Sequence, residues 1–371
     1  MKCKLSDICS FRKGKVEVEN LNAKNYISTE NMLPNKCGIT EASSLPTVSL
    51  TQEYNSGDVL VSNIRPYFKK IWQAEYDGGC SNDVLVFVPK PNTDKDFLYY
   101  VLADDDFFTY SMATSKGTKM PRGDKTSIMQ YEVPLIDLQV QKKIASVLKA
   151  LDERIKLNNE INNNLEQQAQ AIFKSWFIDF EPFSNRKPSD WSLSTLGNVS
   201  IMGAGGDKPQ NVSPIKTDLY EYPIYSNGLS NEGLYGFTDK PKISEESVTV
   251  SARGTIGFVC LRHIPYVPIV RLVTLIPKTE IVSAKYLYLW LKQLHITGTG
   301  TTQQQLTVPD FQKTEILVPS QKIVTLFTAT VEPIFEKIWA NQNENEKLSS
   351  LRDTLLPKLM SGELDVSDID L

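Results

Sequence analysis

The sequence predicts an α+β protein with two globular domains of mixed α/β structure, separated by two long antiparallel coiled-coil spacer helices in a pseudo-twofold internal repeat. Three observations lead there. The chain is written twice; each copy is built from short β-branched runs punctuated by Gly/Pro turns; and each copy ends in a long amphipathic helical pattern. The expected boundaries are a first domain over 1–138, a first spacer helix over 139–185, a second domain over 186–320, and a second spacer helix with a C-terminal tail over 321–371.

The repeat is visible segment by segment. GDVLVSNIRPYFKKIW (57–72) is answered by ESVTVSARGTIGFVCL (246–261), two strand-like runs around a polar turn with an arginine. NDVLVFVPK (82–90) is answered by VRLVTLIPK (270–278), and FLYYVL (97–102) by YLYLWL (286–291). YEVPLIDLQVQKKI (131–144) returns as TEILVPSQKIV (314–324), and KLSDI (4–8) as TLGNV (195–199). Glycines in YSNGLSNEGLYG (225–236) and MGAGG (202–206) mark turns, since neither carries a Walker lysine or a dinucleotide register.

The helices repeat more tightly. From Ile144 the four/three spacing runs through Leu148, Leu151, Ile155, Asn158, Asn162 and Leu165 to Trp176. From Phe327 it runs through Val331, Ile334, Ile338, Asn341, Asn345 and Leu348 to Leu359. An offset of 183 residues superimposes the two seams, Asn pairs included. NNEINNNLEQQ (158–168) is a poor helical stretch by propensity. Its duplicated spacing is expected to be a register device in which Asn158 and Asn162 face Asn345 and Asn341, because buried amides reject slipped pairings. A solvated, weakly packed middle is the plainer alternative. Apolar residues off the seam (Val147, Leu157, Ile161, Phe173, Ile323, Phe335 and Trp339) exceed what a helix pair needs, so they are expected to be buried against other chains or against the recognition domains, with Leu157, Phe173 and Trp339 assigned to the partner interface.

Composition narrows the function. The 371 residues are 41% hydrophobic and 23% charged, as in a folded protein. No basic leader precedes an apolar run, and no stretch approaches the ~18 apolar residues of a membrane span, so no membrane partner is expected. Five scattered cysteines without C-x-x-C spacing fit a reducing cytoplasm, and two histidines exclude a multi-histidine metal site. The net charge of -4 divides unevenly, with +2 over 186–320 and -4 over 321–371. A nucleic-acid binder of this balance needs local basic patches and help from partner subunits.

GDVLVSNIRPYFKKIW, the run QKKIASVLKALDERIKLNNEINNNLEQQAQAIFKSWFIDFEPF and LLPKLMSGEL (355–364) resemble the DNA-specificity subunit of type I restriction-modification enzymes. The resemblance covers nearly the whole chain in the expected order, and the recognition domains match only in general form. It implies a non-catalytic, DNA-binding subunit in which each target recognition domain reads one half of a split duplex sequence. Two modification subunits would supply adenine N6-methylation with S-adenosylmethionine, and two restriction subunits would add ATP- and Mg2+-dependent translocation and cleavage. No cofactor is expected in this chain. Its end, DVSDIDL, would close against KCKLSD near its start.

Two candidate sets for DNA contact follow. TSKGTKMPRGDKTS (114–127) carries Lys116, Lys119, Arg122 and Lys125, and glycines that allow close backbone approach. Its repeat partner TGTGTTQQQLTVPD (297–310) offers Thr301, Thr302, Gln303, Gln304 and Gln305, of which glutamine suits an adenine edge. The second set is Arg65, Lys69 and Lys70 in SNIRPYFKK with Arg253 in SARGTIG. Arg65 precedes proline and is expected in an extended segment. Tyr67, Phe68 and Trp72 read as core. Ordinary surface loops, and an arginine that merely pins a turn, stay open as alternatives.

No catalytic or metal-binding residue stands out. The sequence has no Asn/Asp-Pro-Pro-Tyr/Phe motif, no Walker A lysine and no serviceable Ser/His/Asp set. The acidic run Asp104–Asp106 reads as a solvated helix start. Two competing functions remain: a coiled-coil protein-interaction scaffold without DNA binding, and an orphan specificity subunit used only for partner exchange.

Overall fold

The computed structural model describes residues 1–298 and 305–366. The chain forms two compact units, Met1–Asn158 with Gln342–Leu371, and Asn159–Asn341. The divisions fall at the asparagines of the two seams, so each unit contains half of each long helix. Among the described residues no helix is long and apolar enough to cross a membrane.

In the first unit, strand Lys2–Lys4 pairs antiparallel with Glu132–Pro134. An antiparallel sheet runs in the order Cys9–Phe11, Val84–Pro89, Val59–Ser62, Ile71–Gln73. Its central strands read as continuous apolar runs because both faces are covered. Val59, Val61, Leu85 and Phe87 pack on one side with Phe97, Leu98 and Phe107, while Leu60, Val84 and Val86 pack on the other with Tyr54 and Trp72. A second sheet has the order Lys15–Glu17, Leu50–Tyr54, Gly78–Cys80, Tyr26–Ile27, its last pair parallel. Gly79 is required there, since a Cβ would lie 2.5 Å from Leu21.

Helix Lys95–Ala103 starts where the Asp94 carboxylate accepts from the N–H groups of Asp96 and Phe97, both at 3.0 Å. Asp104 caps helix Asp105–Ala113 in the same way, which accounts for the acidic run. Ile144, Ala145 and Leu148 of the long helix Leu138–Phe177 share the main core of this unit with Leu356 and Leu359 of the long helix Gln321–Ser361. Val366 is buried in that same core, which also contains Leu5, while residues 367–371 of DVSDIDL lie outside the described residues.

The second unit repeats this plan. Ser192–Thr195 pairs with Glu315–Val318, and the antiparallel sheet runs Ser200–Ala204, Val273–Pro277, Ser247–Val250, Val259–Arg262. Helix Ala284–Gln293, capped by Ser283, covers it. The second sheets diverge. Both contain a parallel pair (Tyr26–Ile27 with Gly78–Cys80, and Tyr222–Tyr225 with Val267–Pro268), but the next strand joins opposite members of it. Leu50–Tyr54 adds to the later strand, whereas Leu234–Thr238 adds to the earlier one. Helix Asp105–Ala113 has no counterpart among the described residues of the second unit.

The long helices correct part of the surface assignment. Phe173 is fully buried, with ring centroids 5.5 Å from Tyr286 and 5.8 Å from Phe327. Phe335 is buried too, and Ile323 packs on the same core. The expected spare face around Phe173 is therefore the inner face of this unit. The cause is periodic: a 3.6-residue helix drifts from a 3.5-residue seam. After Ala169 the buried positions step by four, to Phe173 and Phe177, leaving Ile172 and Trp176 half-buried.

Candidate nucleic-acid interface

The two sequence-predicted sets of the first unit meet. Residues 116 and 122 pair as a narrow hairpin, Lys116 N–H donating to Arg122 O at 2.9 Å and Arg122 N–H returning to Lys116 O at 3.0 Å. The turn after strand Val59–Ser62 docks on this hairpin: Arg65 N–H donates to Pro121 O at 2.8 Å, and Gly123 N–H to Asn63 O at 3.2 Å. Gly123 leaves the room this needs, because a Cβ there would stand 2.7 Å from Asn63 Oδ1.

Arg65 is not extended. Its φ of 51° and ψ of 65° place it in the left-handed region, where it opens a single 3-10 turn, Pro66–Phe68. Proline disfavours the right-handed helical region for the residue before it. The bonds from Arg65 N–H to Pro121 and from Phe68 N–H to Arg65 O select the left-handed alternative. Asn63 Oδ1 and Arg65 Nε are buried without a hydrogen-bond partner among the described residues.

The cations around this junction are held in place. Lys69 and Lys36 share Asp105, at 2.7 and 2.8 Å. Burial works against the Asp105 carboxylate, but the two ammonium groups hold its pKa below the ordinary value. Lys70 donates to Thr29 O at 2.6 Å, and burial lowers its pKa. Exposed Lys116 reaches Asp124 at 2.6 Å; this ion pair, with the Ser127 N–H, holds the Asp124 carboxyl at about 2. Arg122 pairs with Asp83 at 3.1 Å, and Lys125 lies 5.9 Å over the Phe11 ring. Lys119 is exposed and has no ion-pair partner among the described residues.

The second unit forms the corresponding junction from different chemistry. Leu306 N–H donates to Ala252 O at 3.0 Å, and exposed Arg253 donates to Gln305 Oε1 at 2.8 Å. That bond occupies the oxygen a bidentate adenine contact would need, so Gln305 acts first as an orienter of Arg253. Thr301, Thr302, Gln303 and Gln304 lie outside the described residues. In the aligned turns, Gly254 (φ 70°) stands where the first unit has Arg65, and Arg253 corresponds to Ile64.

Sequence reasoning missed three contributors. Asn227 accepts from Ala252 N–H at 2.7 Å and donates to Val270 O at 2.6 Å, tying the arginine turn to its neighbour. Arg271, exposed with φ 60°, occupies the repeat position of Asp83; the alignment of 82–90 with 270–278 contained that signal. Lys36 lies far from the junction in sequence and carried none.

On the helices, Asn158 donates to Asn345 Oδ1 in the first unit, and Asn341 donates to Asn162 Oδ1 in the second. Arg352, at a seam position, pairs with Asp152 at 2.7 Å, and Arg154 with Glu344 at 2.9 Å. Leu157 is 46% exposed. Trp339 is half-buried and stacks on His263 at 4.2 Å.

Residues 1–167 and 188–349 match the family model described as the type I restriction modification DNA specificity domain. The HindI specificity subunit of Haemophilus influenzae is 27% identical over an alignment covering 91% of this chain and 94% of that one. The MjaIX specificity subunit of Methanocaldococcus jannaschii is also 27% identical, covering 76% and 72%. In fold, the chain is similar to the crystal structure of the type I restriction-modification S subunit from M. genitalium, with a TM-score of 0.57 at 17% identity over 99% of this chain and 96% of that one.

Proposed function

Because the chain belongs to the type I restriction-modification DNA specificity family, we propose that it is the non-catalytic subunit through which such a complex reads a bipartite duplex sequence, one half-site per unit. Two modification subunits would supply adenine N6-methylation with S-adenosylmethionine. Two restriction subunits would use ATP and Mg2+. The carrying observation is the junction present in each unit, where an arginine-bearing turn after a central strand docks on a polar loop: Arg65 on Pro121, and Arg253 on Gln305. Unlike residues at equivalent junctions suit two different half-sites. The Lys and Arg groups nearby supply phosphate attraction, while directed arginine and amide groups suit base edges.

The test is enrichment from a randomised duplex library by the full chain assembled with its modification subunit. A split motif is expected. Exchanging the first recognition domain for one from a related subunit should change one half of that motif and leave the other. Enrichment of no split motif would leave the chain as a coiled-coil protein scaffold, and a swap that altered both halves would end the modular reading.

A further inference from the structure

We propose that Tyr67 and Phe68 form an apolar wedge that presses the first unit into a base step of its half-site, a role that rests on the DNA-reading function above. The sequence placed these aromatics with Trp72 in the core. Only Trp72 is buried; Tyr67 is 50% exposed and Phe68 38%. Their rings touch at 4.6 Å between centroids, at the apex of the Pro66–Phe68 turn.

The pair is mounted on a turn bracketed by left-handed residues, a frame that the Glu181–Phe183 turn shares. Arg65 and Lys69 flank it with φ of 51° and 50°, and Pro66 beneath it is buried. The opposing loop contributes Asn35 and Lys36 with φ of 57° and 62°. Those two residues donate backbone N–H groups to Phe68 O at 2.8 Å and Lys69 O at 2.9 Å. Four non-glycine residues in the left-handed region each cost conformational free energy, and such strain collects at functional sites. Here it holds two aromatic rings toward solvent, where burial within the unit does not offset it.

The surroundings select the occupant. Lys70, 5.8 Å from the Phe68 ring, and Lys36 and Lys69, which share the single carboxylate of Asp105, leave an excess of positive charge beside the pair, and Arg65 joins it to the hairpin carrying Lys119 and Arg122. An apolar tip inside a cationic rim suits a polyanion with stacked bases: the rim meets phosphates while the rings enter or abut a base step. The second unit has Ile256 and Gly257 at the aligned positions, with Ile256 half-buried. It therefore serves as an internal control.

The test uses the full chain with its modification subunit and the duplex enriched from a random library, carrying 2-aminopurine stepped through each half-site. Apart from the adenines flipped for methylation, which respond in both half-sites, the natural chain should raise fluorescence at one step of one half-site only. Tyr67→Ser with Phe68→Ser should abolish that rise and weaken binding about tenfold, the scale of one aromatic–base stack. Preference at the other half-site and the thermal midpoint should not change, and Tyr67→Trp should keep the signal. Unchanged fluorescence and affinity in the double variant would overturn the wedge while leaving the DNA reading intact. Loss of assembly with the modification subunit, with base preference retained, would overturn it in favour of a protein-docking patch. If the natural chain enriches no motif, the DNA reading itself fails, and the wedge with it.

Discussion

Asn158 donates its side-chain N–H to Oδ1 of Asn345 at 2.9 Å, and the same bond recurs 183 residues later, from Asn341 to Asn162 at 2.8 Å. In both, the donor's own Oδ1 is buried and without a partner among the described residues. Each bond thus fixes one pairing at a cost in stability. Asn158→Leu combined with Asn345→Leu should raise the thermal midpoint and broaden the register. Spin labels at positions 154 and 344 should report one distance in the natural chain and several in the Leu variant. Asn345→Leu alone should destabilise by about 1–3 kcal/mol, having removed one partner of a buried amide. A single sharp distance in the double variant would show that the amides do not set register.

Attraction and reading separate by salt dependence. Lys116→Ala with Lys119→Ala should weaken binding to all duplexes alike and lower the salt slope by ~0.9 for each phosphate these side chains neutralise. Gln305→Ala should instead alter one or two positions of one half-site, with ~1–3 kcal/mol of discrimination at stake. Because Gln305 holds Arg253 at 2.8 Å, Arg253→Ala should affect the same positions, and the two losses should not add. Competition titrations on matched and mismatched duplexes at several salt concentrations measure all three.

Leu157 and Phe173 should part company. Phe173→Ala empties the centre of an aromatic core and should cost about 3–5 kcal/mol in urea unfolding. Leu157→Glu changes an exposed position and should leave the unfolding midpoint within experimental scatter. If Leu157 meets a modification subunit, Leu157→Glu should also abolish the 2:1 complex in native mass spectrometry; survival of that complex removes Leu157 from the interface.

His263 should make the second unit acid-sensitive. Loss of water around its ring, then the charges of Lys285 and Arg262, lower its pKa to about 4 from an ordinary ~6.5. Between those values the unfolded chain binds more protons than the folded one, so stability rises with pH. This contribution should be complete above pH ~6.5, decline as pH falls toward 4 and level off below. His263→Gln should flatten the dependence of the urea midpoint over that window, read by far-ultraviolet circular dichroism.

Repetition made the fold legible. Two copies constrain each other, so the matched runs at 57–72 and 246–261 identified a central strand and its edge-strand partner in both main sheets. Composition around Leu50–Tyr54 and Leu234–Thr238 held no such constraint, and these are the strands that join opposite members of their parallel pairs. Local rules failed where tertiary bonds decide. The backbone bond to Pro121 turned Arg65 left-handed, and the strained turn it opens put Tyr67 and Phe68 outside. The meeting of the 114–127 loop with the Arg65 turn depends on residues more than fifty positions apart, beyond the reach of periodicity.

The burial of Leu356, Leu359 and Val366 among Leu5, Ile144 and Leu148 gives biosynthesis an order. Asn159–Asn341 is one uninterrupted stretch and can close once its last residues leave the ribosome. The other core has to wait. Leu148 emerges roughly 200 residues before Leu356, about 10–40 s at ~5–20 residues per second, with apolar surface open throughout. The body begun first is therefore finished last, and a chain truncated after Asn341 and tethered to the ribosome by a linker long enough to clear it should resist protease across 159–341 while still being cut within its first hundred residues.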